Sequence, residues 1–235
     1  MNSIFGFGAS VRGPGHIRSG MPNQDSFLIR KFKNGWVAVV SDGVGSRPFS
    51  DVGSRAVCKA VASAVSLYLN SQNEVDIKNV LRLVHARWLF EISPNIADEC
   101  NATVLFAVIT QKKIILATLG DGMICCRHGD ETTILTDNKT DSFSNVTTCM
   151  KYKFSYDDWN ITEIPFENFR YVALATDGIS DDVIQEKLPA FVDGFVCEYS
   201  KISKSVRTKK IKKMLNDWPV PKHSDDKTIA CIVNA

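Results

Sequence analysis

Runs of apolar residues that end in small, polar turns recur along the chain. Residues 36–40, WVAVV, contain no polar side chain and are followed by Ser-Asp-Gly-Val-Gly-Ser. An unbroken apolar run of this length predicts a strand that is buried on both faces. A similar order, YVALATDGIS, recurs at residues 171–180. The pattern therefore predicts two buried strands, each of which delivers an aspartate, Asp42 or Asp177, to a glycine-containing turn.

Other apolar segments predict the remaining strands. They cover residues 4–9, 25–30, 102–110, 114–119, 123–126, 132–135, 161–166 and 228–233. Most of them follow one another with short connections, which favours antiparallel pairing over a doubly wound parallel sheet. The polar segments at residues 10–24 and 136–148 are rich in turn formers and predict irregular loops.

Helical spacing of apolar residues predicts four helices. The first two follow the Asp42 turn, and their apolar positions are Val57, Ala60, Val61, Ala64, Val65 and Tyr68 in one and Ile77, Val80, Leu81, Val84 and Trp88 in the other. A third is predicted to begin at Asp181, with acids in its first turn and with Pro189 interrupting it or lying near its end. Residues 201–218 predict a basic amphipathic helix. Locally paired strands with helices outside two sheets place the chain in the α+β class.

The composition changes this picture little, because it is that of a soluble globular protein. The 235 residues, of which 44% are apolar, fit a single domain over residues 1–235. The net charge of +2 gives no field that would attract nucleic acid. Seven cysteines without a CxxC pair favour free thiols in a reducing compartment. With no secretory signal and no run approaching the length of a membrane span, we expect a cytoplasmic protein that binds neither nucleic acid nor membranes.

Acidic residues at turns beside predicted strands are the candidate chemistry. They are Asp25, Asp42, Asp121, Asp177 and Asp225. Carboxylates that are brought together without counter-charge raise one another's pKa, and a divalent cation relieves that unfavourable arrangement. An all-oxygen ligand set favours magnesium or manganese, whereas the four dispersed histidines lack zinc-like spacing. Acids around two hard ions are typical of two-metal hydrolysis at phosphorus.

Six short segments occur in a specific order between about residues 5 and 233. They are NQDS, SDGVGS, NATVLF, LGDG, TDGISDD and DDKT. Each is weak alone, but all six in order are specific. In this respect the chain resembles the metal-dependent serine/threonine protein phosphatases of type 2C, the PPM family, and its bacterial branch in particular. The resemblance implies a central antiparallel β-sandwich flanked by helix pairs, a four-layer αββα arrangement with two Mn²⁺ or Mg²⁺ ions at one end.

The resemblance also implies roles for individual residues. Asp42 would bridge the two ions, and the carbonyl of Gly43 would bind one of them. Asp177 and Asp225 would hold the other ion, while Asp25 would order the waters around the metals. In the family, a water between the ions attacks phosphorus in line.

Four aspartates have competing interpretations. Asp181 and Asp137 resemble positions that bind a third, weaker ion in some family members. An acid in the first turn of a helix is the favoured interpretation of Asp181, and a solvated position in a polar loop is the favoured interpretation of Asp137. Asp226 is expected to be structural, and Asp121 is balanced between the two roles.

Three positions depart from the family pattern. The family usually has a glutamate where this chain has Gln24, and the loss of that charge predicts weaker binding of one ion. The phosphate-binding arginine usually stands at the position of Gly20, so that Arg18 or His16 must take its place. Some members have a histidine that protonates the leaving group where this chain has Val44, so that a metal-bound water or His16 would have to serve instead, or the leaving group would depart unassisted.

Three functions compete on this evidence. The first is a phosphatase that removes phosphate from phosphoserine or phosphothreonine of a protein, with a serine/threonine kinase as its counterpart. The second is an inactive phosphoprotein-binding module of the same fold, which the substitutions at Gln24 and Val44 motivate. The third is a metal-dependent hydrolase of a small phosphoester. The basic helix at residues 201–218 is most simply solvated, although it could dock an acidic phosphoprotein.

Overall fold

The computed structural model describes residues 4–71, 74–136 and 148–235. Within these residues, ten strands form two five-stranded antiparallel sheets. The strands are β1 (Ile4–Val11), β2 (Ser26–Phe32), β3 (Gly35–Ser41), β4 (Val104–Thr110), β5 (Lys113–Leu119), β6 (Met123–His128), β7 (Glu131–Thr136), β8 (Asn160–Pro165), β9 (Phe169–Ala175) and β10 (Lys227–Asn234). One sheet has the order β1-β10-β9-β6-β7, and the other has the order β2-β3-β4-β5-β8.

Helices cover the outer faces of both sheets. The helices in the described part of the chain are α1 (Pro14–Ser19), α2 (Ser50–Leu69), α3 (Ile77–Ile92), α4 (Asp177–Ser180), α5 (Leu188–Ser200) and α6 (Lys204–Asn216). Short 3₁₀ turns lie at Ala97–Glu99 and Gln185–Lys187. Helices α2 and α3 pack on the β2-β3-β4-β5-β8 sheet, and α5 and α6 pack on the other sheet.

The core is divided into three layers by the two sheets. Side chains such as Val40, Leu116, Leu174 and Ile232 fill the space between the sheets. A second cluster lies under α2 and α3 and includes Trp88, and a third lies under α5 and α6. The result is the four-layer αββα sandwich of the α+β class, which confirms the predicted architecture.

Strand β3 confirms that an unbroken apolar run is buried on both faces. Val37 and Val39 pack with the residues of α2 and α3, whereas Ala38 and Val40 point into the space between the sheets. All four side chains are completely buried. Alternation of side chains across a strand requires apolar residues at every position when both faces are covered.

Two local predictions were wrong, and proline explains both. Residues 10–24 were predicted to be irregular, but Pro14 begins the short helix α1, which ends at Gly20 with φ 74°. The helix expected from Asp181 begins instead at Leu188, and Pro189 lies in its first turn. Proline is well suited to the first helical turn because the N–H that it lacks has no partner there.

Helix α2, which is both long and apolar, also differs from expectation. By length and composition alone it could cross a membrane, although no such stretch was expected from the sequence. Within the fold, 61% of its most apolar window is buried. Packing against α3 and the neighbouring sheet therefore accounts for its composition.

The cysteines are consistent with the predicted free thiols. All seven are unpaired, and five of them are buried. Burial raises the pKa of Cys125 and of Cys126 to about 12, so these thiols stay protonated at neutral pH. They contribute to the core as small apolar side chains.

Candidate metal centre

Antiparallel pairing brings the predicted acids to one end of the sandwich. Ser26 pairs with Ser41, so that Asp25 and Asp42 adjoin the same edge of their sheet. In the other sheet, Ile229 pairs with Ala175, and Met123 pairs with the same residue from the opposite side. The segments that carry Asp177, Asp225 and Asp121 therefore leave the sandwich at this end as well.

Asp25 is buried and held by hydroxyl groups from the opposite sheet. The Oγ1 of Thr176 donates to Asp25 Oδ2 over 2.8 Å. Burial raises the pKa of Asp25 to about 6, although hydrogen bonds from Asp42, Thr228 and Thr176 oppose the rise. Asp25 thus links the two sheets, because it precedes β2 in one sheet and accepts a hydrogen bond from Thr176, which follows β9 in the other.

Asp42 directly follows β3 and begins the Asp-Gly turn that the sequence predicted. Its N–H donates to Thr103 Oγ1 over 2.9 Å, and its carbonyl accepts from the Thr103 N–H over 2.8 Å. Burial raises the pKa of Asp42 well above its usual range, and the charges of Asp25 and Asp177 raise it further. A protonated Asp42 can then donate a hydrogen bond to Asp25, which lets the two carboxyls share a proton.

Asp177 joins the same group from β9. Burial raises its pKa to about 7, and the carboxyls of Asp121, Asp225, Asp25 and Asp181 add to the rise. Asp121 follows β5 in a turn that Gly120 and Gly122 permit at φ 102° and 110°. The structure thus places Asp121, whose role the sequence left undecided, close enough to Asp177 for its charge to raise the pKa of Asp177.

Glycines allow the acid-bearing turns to pack closely. A Cβ at position 43 would lie 2.6 Å from the carbonyl oxygen of Ser50, and one at position 178 would lie 1.9 Å from that of Asp226. Such distances are far inside van der Waals contact, so each turn accepts only glycine. The Asp-Gly dipeptides at Asp42 and Asp177 are therefore required by packing as well as by turn geometry.

Helix α1 forms the rim of the site and carries both candidate phosphate-binding residues. His16 is half-buried and faces Asp226, with Nδ1 2.9 Å from Asp226 Oδ2. Arg18 is exposed. Successive residues of a helix are rotated by about 100° around its axis, so residues two apart point in directions about 200° apart. His16 and Arg18 therefore lie on different faces of α1.

The remaining predicted acids have separate outcomes. Asp226 is almost fully buried and accepts backbone N–H groups, in keeping with the structural role expected for it. Asp181 lies at the C-terminal end of α4, so the explanation as an acid in a first helical turn was wrong. Asp137 lies outside the described residues.

Three residues near the site went unrecognised in the sequence. Thr176 and Thr103 hold Asp25 and Asp42. Lys227 is completely buried, with Nζ 3.5 Å from Asp182 Oδ2 and 3.5 Å from the carbonyl oxygen of Asp225. A threonine or lysine at the end of an apolar strand gives no pattern by which such contacts could be found.

The chemistry of this donor set fits hard divalent cations. The groups that shift the pKa of Asp25, Asp42 and Asp177 include several other carboxyls, so added positive charge would relieve their repulsion. All the donors are oxygen atoms, which suits magnesium or manganese. Within residues 4–71, 74–136 and 148–235, however, no three acidic, histidine or cysteine side chains form a closed cage that could hold an ion. The carboxyls are therefore neighbours that a cation would have to draw together.

Thr176→Val tests the hydroxyl that holds Asp25. We expect the variant to bind manganese about 10-fold more weakly, because groups that hold a metal-binding carboxylate typically contribute 10–100-fold to affinity. Calorimetric titration measures the affinity, and Thr162→Val, on strand β8, is the matched control. Equal affinities for Thr176→Val and wild type would show that this hydrogen bond does not orient the site.

Comparison with known proteins identifies the family of the chain. The family model described as protein phosphatase 2C matches residues 12–218. No curated protein matches the chain in sequence.

Solved structures show the same fold at low sequence identity. The serine/threonine phosphatase Stp1 from Staphylococcus aureus is 15% identical, with a TM-score of 0.66 over 99% of this chain and 95% of that chain. A bacterial serine phosphatase is 14% identical, with a TM-score of 0.65 over 100% and 98%. RsbX in complex with magnesium is 15% identical, with a TM-score of 0.60 over 99% and 96%. Since the family model covers most of the sequence, the chain belongs to the protein phosphatase 2C family.

Proposed function

We propose that the protein is a metal-dependent phosphatase that hydrolyses phosphoserine and phosphothreonine in protein substrates. The observation that carries this proposal is the group of carboxyls at one end of the sandwich. Asp177 raises the pKa of Asp42, and Asp25 and Asp225 raise the pKa of both, an arrangement that is unfavourable without cations. Membership of the phosphatase family supplies the reaction class.

The metal-binding groups in this proposal are those at the turns. Asp42, the Gly43 carbonyl, Asp177 and Asp225 would hold two Mn²⁺ or Mg²⁺ ions. Bound there, the ions would neutralise charge on a phosphoryl group and lower the pKa of a water molecule. Magnesium bound to the related protein RsbX is consistent with this choice of metal.

The other acids have supporting roles. Asp25 would order solvent around the metals, and its hydrogen bond from Thr176 fixes one of its oxygens for that purpose. Asp181 is the candidate for a third, weaker ion, since its charge acts on Asp177. Asp137 is also proposed as a ligand of this third ion.

Helix α1 would hold the substrate at the rim. Arg18 is exposed and free to reach an incoming phosphate, which a guanidinium binds with two parallel N–H donors. His16 faces the site side of the helix, beside Asp226. His16 is proposed to contact the phosphoryl group from the site side of α1, and Arg18, on another face, is proposed to reach it with its longer side chain.

The biological setting follows from the reaction. A phosphoserine or phosphothreonine substrate requires a kinase that makes it, so a cognate serine/threonine kinase is the proposed counterpart. We propose a cytoplasmic location because seven unpaired cysteines suit a reducing compartment. Binding to nucleic acid or to membranes is not part of this proposal.

The test uses the purified full chain, first stripped of metal with a chelator. We expect added manganese to restore hydrolysis of a phosphoserine peptide and of p-nitrophenyl phosphate. A nucleoside monophosphate, assayed in parallel, should be a much poorer substrate. Preference for the nucleotide would favour the small-phosphoester hydrolase, and failure to cleave any substrate with metal bound would overturn the phosphatase proposal.

One observation keeps the phosphoprotein-binding module as the second candidate. Gln24, which replaces the family's glutamate, is only 2% exposed and lies directly at the site. One negative charge is therefore missing from the candidate centre. Calorimetry distinguishes the two functions, because the module predicts phosphopeptide binding without manganese binding at millimolar concentration.

A further inference from the structure

Asp226 is a buried carboxylate that accepts two backbone N–H groups and faces one histidine, all three in the segment of residues 13–24 that contains helix α1. It is 1% exposed. The N–H of Gly13 donates to Oδ1 over 2.6 Å, and the N–H of Gln24 donates to Oδ2 over 2.6 Å. Nδ1 of His16 lies 2.9 Å from Oδ2, although its angles fall short of a hydrogen bond. One side chain thus holds both ends of the segment by hydrogen bonds and lies beside the histidine between them.

From this geometry we propose that Asp226 is a positioning residue that sets His16 to protonate the seryl or threonyl oxygen of the leaving group. The inference rests on the proposed phosphatase function and adds to it a finer role for His16. It also gives Asp226 a role distinct from that of its neighbour Asp225, which is proposed to bind metal.

The orientation of His16 follows from the contact with Asp226. Its Nδ1 is buried, whereas the whole side chain is 22% exposed, so the accessible part of the ring is the side that bears Nε2. A carboxylate beside Nδ1 favours a proton on that nitrogen, which leaves Nε2 as the ring nitrogen that can exchange a proton with the substrate. The same division of labour between an acid and a histidine operates in hydrolases of other folds.

The location of α1 places this histidine beside the acidic cluster. The charge of Asp226 acts on the pKa of Asp25. The N–H of Gly15 donates to the Ser224 carbonyl over 2.8 Å. A Cβ at Gly13 would lie 2.3 Å from the carbonyl oxygen of Asp225. Helix α1 therefore rests directly on the segment that supplies Asp225.

The reaction needs a proton donor that Val44 cannot supply. The oxygen of a water molecule forms a bond to phosphorus, and the phosphorus–oxygen bond of the ester breaks. The electron pair of that bond stays on the seryl oxygen, which takes the proton from His16 Nε2. The proton lost by the water passes to solvent, and solvent reprotonates His16. The products are the free alcohol and hydrogen phosphate.

The experiment compares two substrates that differ in their need for that proton. A seryl alkoxide is a poor leaving group, whereas p-nitrophenolate leaves without protonation. For His16→Gln we expect the kcat ratio of phosphoserine peptide to p-nitrophenyl phosphate to fall about 100-fold, in line with a general acid's contribution. Asp226→Asn should lower the same ratio, because an amide cannot accept from both backbone donors and the ring.

His128→Gln is the matched control. His128 is also about one-fifth exposed and lies 3.5 Å from a carboxylate, Glu131, but at the other end of strand β6. We expect its substrate ratio to equal that of wild type. An equal fall of both activities in His16→Gln would overturn the inference, since loss of phosphate binding slows both substrates alike. Inactivity of wild type toward both substrates would instead reject the phosphatase proposal.

A second readout does not depend on activity. Hydrogen exchange at the amides of Gly13 and Gln24 should accelerate in Asp226→Asn, because both donate to this carboxylate. The same amides should keep their protection in His16→Gln. Unchanged exchange in Asp226→Asn would contradict its positioning role, and His16→Gln still tests the proton donor if the Asp226 variant does not fold.

Discussion

Asp42→Asn is expected to lower manganese-dependent hydrolysis of a phosphoserine peptide by about 10³-fold, equivalent to about 4 kcal/mol of transition-state stabilisation. Asp42 follows the buried strand β3, and the charges of Asp25 and Asp177 both raise its pKa. Removal of its charge takes away the proposed central metal ligand with almost no change of shape. The measurement is kcat/KM at saturating manganese.

The same substitution should stabilise the metal-free protein. The raised pKa of Asp42 means that ionisation of this group opposes folding when no cation is present. An asparagine removes that charge and can still donate a hydrogen bond to Asp25. We therefore expect a higher Tm for the chelated variant than for chelated wild type at pH 8, together with loss of the stabilisation that manganese gives to wild type.

Asp130→Asn is the control for both effects. Asp130 is 95% exposed and lies 3.5 Å from Arg170. Its replacement should change neither activity nor the thermal shift caused by manganese. A fully active Asp42→Asn variant would show that the carboxylate cluster is not the catalytic metal centre.

The affinity for manganese should rise steeply with pH, which is the second large effect. Burial and neighbouring carboxyls raise the pKa of Asp25 to about 6 and that of Asp177 to about 7. Both must lose their protons when a cation binds. Two protons with these pKa values predict an increase of about 10²- to 10³-fold in apparent affinity between pH 5 and pH 8.

The metal-free protein should show the opposite trend in stability. The folded state binds these protons more tightly than the unfolded chain does, so stability is highest below about pH 4 as far as these groups are concerned. It falls as the pH rises through about 6 and 7, where the buried carboxyls are forced to ionise. Urea unfolding of chelated protein at several pH values measures this loss, and a saturating manganese concentration should reverse it.

Proton release provides the decisive measurement for this pH dependence. Calorimetric titrations of manganese in buffers of different ionisation enthalpy count the protons released at pH 6. Asp177→Asn should reduce that count, whereas Asp130→Asn should not. A manganese affinity that is constant from pH 5 to pH 8 would contradict the raised pKa values of the carboxyl cluster.

Much of the fold was predictable because strand and helix periodicities are local. Val37 to Val40 indicated burial on both faces, and the structure covers β3 on both sides. The apolar stripe that begins at Ile77 predicted α3, which Asp76 caps by accepting the N–H of Asn79. Pro14 and Pro189 misled the prediction, since a proline that begins a helix and one that ends it look alike without tertiary context.

The candidate site was predictable in its acids but not in their environment. Asp42 and Asp177 stand out because each follows a buried strand. The partner of Asp25 does not stand out, because Thr176 is 151 residues away along the chain. Likewise, Asp226 accepts from Gly13 across 213 residues. Contacts at such separations depend on the order of strands in the sheets, which no local pattern encodes.

The sequence by itself determined which residues form strands and helices and which acids end the buried strands, because burial and turn geometry act on neighbouring residues. Only the tertiary structure decided which acids lie close enough to shift one another's pKa. The pairing of β10 with both β1 and β9 brings Asp225, Asp177 and helix α1 to the same end of the sandwich. That pairing turns Asp226 from one of two adjacent acids into the anchor of His16, because a buried carboxylate must find its hydrogen-bond donors wherever the fold supplies them.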